Sequence, residues 1–148
     1  MRDQLRVREA RLIRSMNLSK FLRFWFPVVA YSAIIFYVSG LPNLQAPSIF
    51  PSDKAYHFLE YLFFGALVAR ALKASWPDLP QITWAAATFM ASFLYGLSDE
   101  THQIFVEGRV FDLDDLAFDV LGGLTGWILY FIFYRYFVGK FVGKTVKD

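Results

Sequence analysis

Long apolar runs alternate along the chain with short polar breaks. The runs are Phe21–Ser39, Tyr56–Leu72, Ile82–Leu97 and Leu116–Phe137. Each holds about 16 to 22 residues, close to the roughly 20 that carry a helix across a bilayer core. Inside hydrocarbon the backbone must satisfy its own hydrogen bonds, so each run predicts a helix. The expected fold is therefore all-α, a four-helix transmembrane bundle. A soluble bundle of buried helices is the alternative, but little between the runs is long or polar enough to clothe one. The breaks read as loops. "GLPNLQAPSIFPS" (Gly40–Ser52) contains three prolines and a glycine, and "ASWPDLP" (Ala74–Pro80) is a short turn.

Composition agrees with this reading. Of the 148 residues, 56% are hydrophobic and 20% aromatic, and mean hydropathy is +0.37. The length allows one domain. With no cysteine, disulfides, thiolate metal sites and cysteine nucleophiles are excluded.

Charge adds an orientation. Residues 1–20 form a basic head with Arg2, Arg6, Arg8, Arg11, Arg14 and Lys20, followed at once by Arg23. Residues 138–148 form a basic tail with Lys140, Lys144 and Lys147, and Arg135 lies just before it. The second break is flanked by Arg70 and Lys73, whereas the other two carry only Lys54 and Arg109. Cytoplasmic loops are the lysine- and arginine-rich ones. The pattern thus places both termini in the cytoplasm and makes residues 21–137 a multi-pass domain of the inner membrane. No small-residue cleavage site follows the first run, so it reads as a retained anchor. The head reads either as an amphipathic helix on the anionic inner leaflet or as a disordered tail. The tandem "FVGK" at Phe137–Lys140 and Phe141–Lys144 reads as an interfacial tail with snorkelling lysines. Membrane lipids are the expected surroundings, and nucleic acid is not an expected partner. Gly122 and Gly126 form a Gly-x-x-x-Gly pair that lets helix backbones approach closely, within the chain or in a homodimer.

The acids depart from the apolar theme. Residues 95–123 hold Asp99, Glu100, Glu107, Asp112, Asp114, Asp115 and Asp119. The topology carries these, Asp53 and both histidines to the extracytoplasmic end. Asp53, His57 and Tyr61 are spaced by four, which puts them on one helical face; Asp99 and Gln103 share that spacing. Asp112, Asp115 and Asp119 stand at i, i+3 and i+7 on another face. Ionisable groups within a membrane are costly and are expected to face inward and pair. Part of this set has structural uses: Asp112 and Ser52 are suitable N-caps, and Arg109 can bridge acids.

At these residues the sequence resembles the VanZ-like family. The resemblance rests on "DKAYHFLEY" (Asp53–Tyr61) and "DETHQIFVEGR" (Asp99–Arg109), with Asp115 and Gly122 at the positions that follow. It covers roughly residues 31–130. The family's usual Asn on the fourth helix is Asp119 here, and an acid at that depth needs a cation, a proton or a hydrogen-bond donor. The resemblance implies a small bacterial integral membrane protein, from a family whose named member is linked to teicoplanin resistance.

Three readings of the charged end follow. In the first, it binds an envelope ligand such as a lipid head group, a wall precursor or a glycopeptide. The ligand would meet Asp53, Lys54, His57, Tyr61, Asp99, Glu100, Gln103, Arg109, Asp115 and Asp119, with Lys54 and Arg109 contacting phosphate or carboxylate. In the second, it is an enzyme on a lipid-linked substrate. Asp99, Glu100 and Asp115 would hold a divalent cation such as Mg²⁺, with His57 or Glu100 as catalytic groups. No familiar metal-ligand spacing or nucleophile motif accompanies that set. In the third, the charges only lock the helix ends together.

Overall fold

The computed structural model describes residues 18–42 and 52–142, with side chains to 137. Most of the basic head, most of the first loop and the end of the tail lie outside the described residues. So does the latter half of the second "FVGK".

The described chain is all-helical, with no strand among these residues. Helix α1 covers Leu18–Ser39, α2 Lys54–Ser75, α3 Gln81–Gln103 and α4 Leu113–Val142. Two of the four, over Leu18–Ser39 and Leu113–Phe137, are long and apolar enough to cross a membrane. Helices α2 and α3 have the length for it. The start of α2 carries Lys54 and Glu60 and the end of α3 carries Asp99 and Glu100, which lowers their mean hydropathy.

Helix α1 contains a π-helical turn at Phe21–Trp25, just before Pro27. Proline has no N–H, so the carbonyl four residues earlier loses its helical donor. That carbonyl, Arg23 O, instead accepts from Arg70 Nη1 of α2 at 3.2 Å. The same end is closed by Trp25, whose indole donates to Ser75 Oγ at 2.8 Å and meets Trp76 edge to face.

The core runs between α1, α2 and α3 through Val28, Ile35, Tyr61, Phe64, Val68, Ala71, Leu72 and Trp84. Helices α2 and α4 meet by backbone. A Cβ on Gly122 or Gly126 would collide with the backbone of Phe58, Leu62 and Ala66, and one on Gly65 with Gly123. The small residues therefore serve helix contact inside the chain, which brings α4 close enough for its acids to reach α2.

Candidate functional site

The site is built at one end of the bundle by the first turns of α2 and α4 and the last turns of α3. Asp53 caps α2, its side chain accepting from Lys54 N at 2.9 Å, with Ser52 Oγ accepting from the same N–H at 3.2 Å. Asp112 caps α4 by accepting from Asp114 N at 2.8 Å. The backbone N–H of Asp112 in turn donates to Glu100 Oε2 at 2.8 Å, which ties the start of α4 to α3. Between them Gly108 adopts φ 81°, a left-handed conformation that side chains rarely take, and turns the chain after α3.

Lys54 is the hub of the outer layer. Its Nζ lies 3.1 Å from Asp112 Oδ2, 3.1 Å from Asp115 Oδ1 and 3.8 Å from Asp114 Oδ2. The hydrogen bond to Asp112 leads in holding the ammonium above the ordinary lysine pKa, against desolvation and with Asp115 adding to it. Asp112 is held below the ordinary carboxylate range, first by its cap bond from Asp114 and then by Lys54.

One layer deeper, His57 joins the two acids of α4. Its Nδ1 is 3.0 Å from Asp119 Oδ1, and its Nε2 is 3.6 Å from Asp115 Oδ2. Asp119 and Glu100 are completely buried. Each keeps one carboxylate oxygen, Asp119 Oδ2 and Glu100 Oε1, without a hydrogen-bond partner. Gly96 makes room here, since a Cβ on it would come within 2.8 Å of Asp119 Oδ2.

Several predicted members stand apart. Asp99 is buried but turns to α1, accepting from Ser39 Oγ and, at 3.4 Å, from Gln103 Nε2. Gln103 thus belongs to the Asp99 pair. Tyr61 is fully buried against the rings of Phe64 and Tyr95, with its hydroxyl unpartnered. Asp53 is exposed and acts as a cap. Arg109 makes no ion pair among the described residues, so the cation among the α4 acids is Lys54. His102 stacks on Phe36, with centroids 4.2 Å apart. Asp112, Ser39 and Gly96 complete the arrangement although sequence reasoning did not assign them to a site. Only Asp112 had left a signal, its place at i−3 from Asp115.

His57, Glu100 and Asp119 each place one donor atom within 4.8 Å of the other two. The "DKAYHFLEY" and "DETHQIFVEGR" segments thus converge on one end, and the VanZ/LLP1 family pattern matches residues 3–134. The chain belongs to the VanZ/LLP1 family. No curated protein and no solved structure matches it. The fold and the membrane character suggested by α1 and α4 are what VanZ/LLP1 membership would lead one to expect.

Proposed function

We propose that the chain is a four-span inner-membrane protein with both termini in the cytoplasm. Its extracytoplasmic end binds an envelope lipid whose head group carries both phosphate and amine. The multi-pass part of the reading draws on surface and charge. Phe26 and Val29 of α1, Leu94 of α3, and Ile128 and Ile132 of α4 are exposed large apolar side chains, a surface suited to hydrocarbon. The end opposite the acids gathers Trp25, Trp76 and Trp84 with Arg70 and Lys73, and the Lys73 ammonium lies 4.5 Å from the Trp84 ring centroid. Aromatics and cations together suit a cytoplasmic interface.

The observation that carries the ligand is a groove of about 520 Å³ beside the acid layer. It is lined by Ser52, Lys54, Ala55, Phe58, Leu59 and Phe118, and the surface it offers is almost wholly apolar. An acyl chain fits the apolar walls. Lys54, already paired with Asp112 and Asp115, fixes those carboxylates beside the groove. Three carboxylates around that one ammonium leave an acidic excess, and the exposed Asp114 is placed to take an amine. The apolar lining favours a lipid over a free wall fragment or a glycopeptide.

The test is native mass spectrometry of the purified chain with phosphatidylethanolamine and with phosphatidylglycerol. The reading expects preferential retention of phosphatidylethanolamine, weakened by Lys54→Gln and by Leu59→Trp, which fills the groove. Equal retention of both lipids, unaffected by either substitution, would refute it.

A further inference from the structure

We infer that His57, Glu100 and Asp119 form a binding site for a divalent transition-metal ion, of the Zn²⁺ or Mn²⁺ class, inside the outer end of the bundle. The inference does not rest on the lipid groove, which lies on the outer surface of the helices.

The donor set is one imidazole and two carboxylates from α2, α3 and α4, with donor atoms within 4.8 Å of one another. Nitrogen and oxygen ligands bind such metals at about 2.0–2.2 Å, so neighbouring ligand atoms end up roughly 3 Å apart. His57 Nδ1 and Asp119 Oδ1 already stand at 3.0 Å. Glu100 offers a carboxylate oxygen within 4.8 Å of a donor atom on each.

Two observations beyond proximity point to a ligand. The first is the pair of orphaned oxygens. Glu100 Oε1 and Asp119 Oδ2 sit on completely buried residues and have no partner. Buried polar atoms seldom stay so unless an ion or a water meets them, because the desolvation cost goes unrepaid. Two carboxylates and a neutral imidazole carry two negative charges, and a divalent ion neutralises them. The second is the outer support. A ligating histidine usually donates its other ring N–H to a carboxylate, which fixes the tautomer. With the metal on Nδ1, Nε2–H faces Asp115 Oδ2 at 3.6 Å, and Asp115 is itself anchored by Lys54 at 3.1 Å. The imidazole selects against Mg²⁺ and Ca²⁺, which favour all-oxygen shells.

This donor set differs from the one read off the sequence. Asp99 is engaged by Ser39 and Gln103. Asp115 is engaged by Lys54 and stands behind His57. Asp119 takes their place.

The experiment uses the full chain purified in detergent and stripped with EDTA. Zn²⁺, Mn²⁺ or Mg²⁺ is added alone, and retained metal and Tm are measured after desalting. The expected result is one Zn²⁺ or Mn²⁺ per chain with a raised Tm, and no retention of Mg²⁺ at the same concentration. Asp119→Asn and Glu100→Gln should retain none, and Asp115→Asn should bind about 10–100-fold more weakly. Glu107→Gln, exposed on the turn after α3, should bind as the parent does. Absence of stoichiometric metal and of any Tm shift in the parent chain overturns the inference, even where a variant fails to fold. Retention that survives both Asp119→Asn and Glu100→Gln, or equal retention of Mg²⁺, overturns it as well. Lipid retention on the same samples reads the groove separately.

Discussion

His57 and Asp119, 62 positions apart, bring Nδ1 and Oδ1 to 3.0 Å at the level where α2 and α4 cross on glycine. Asn keeps an acceptor oxygen for the imidazole, so Asp119→Asn should remain folded in metal-free detergent. Asp119→Leu removes the acceptor and leaves His57 only the longer, 3.6 Å approach to Asp115. Breaking a buried pair in this way costs about 3–5 kcal/mol in soluble proteins. Thermal unfolding in detergent should therefore rank the parent and Asp119→Asn well above Asp119→Leu.

The backbone contact of α2 with α4 sets the depth of that pair. Gly126→Leu puts a branched side chain where the Leu62 and Ala66 backbone now lies. Overpacking costs typically about 1–3 kcal/mol, and a rigid backbone leaves little room for relaxation. The yield of monodisperse protein in detergent should fall sharply. A Gly126→Leu protein with parental yield and Tm would show that the helices do not meet there.

Much of this arrangement is legible in the sequence. The apolar runs foretold four helices, and the spacing of four put His57 and Tyr61 on one buried face. The caps at Ser52 and Asp112 follow from residue type at a helix start, whereas Asp53, read as a ligand residue, caps α2 instead. What stayed hidden is which carboxylate each cation takes. Asp99 and Glu100 are adjacent, so on a helix they diverge by about 100°. One faces Ser39 of α1 and the other the start of α4. Arg109 looked like the central cation because it lies within the acidic stretch, whereas Lys54 reaches those acids from another helix, 58 to 61 positions away. Sequence proximity carries no information about such cross-helix partners.

Asp112 gives the outer layer a pH signature. Its carboxyl is held below the ordinary range in the folded chain. Its contribution is therefore present above the unfolded pKa of about 4 and is lost as pH falls below it. The Tm gap between the parent and Asp112→Ala should be open at pH 7 and narrow as the pH drops below about 4. A gap that stays constant down to pH 3 would mean that the cap and the Lys54 contact contribute nothing.

The account depends most on which side of the membrane the Lys54–His57–Asp119 end faces. The absence of native cysteine allows single-cysteine labelling without background. Val110 is exposed on the loop beside the acids, and Asp78 is exposed in the turn between α2 and α3. In intact cells a membrane-impermeant maleimide should label Val110→Cys at once and Asp78→Cys only after permeabilisation. Labelling of Asp78→Cys in intact cells with Val110→Cys protected would contradict the account.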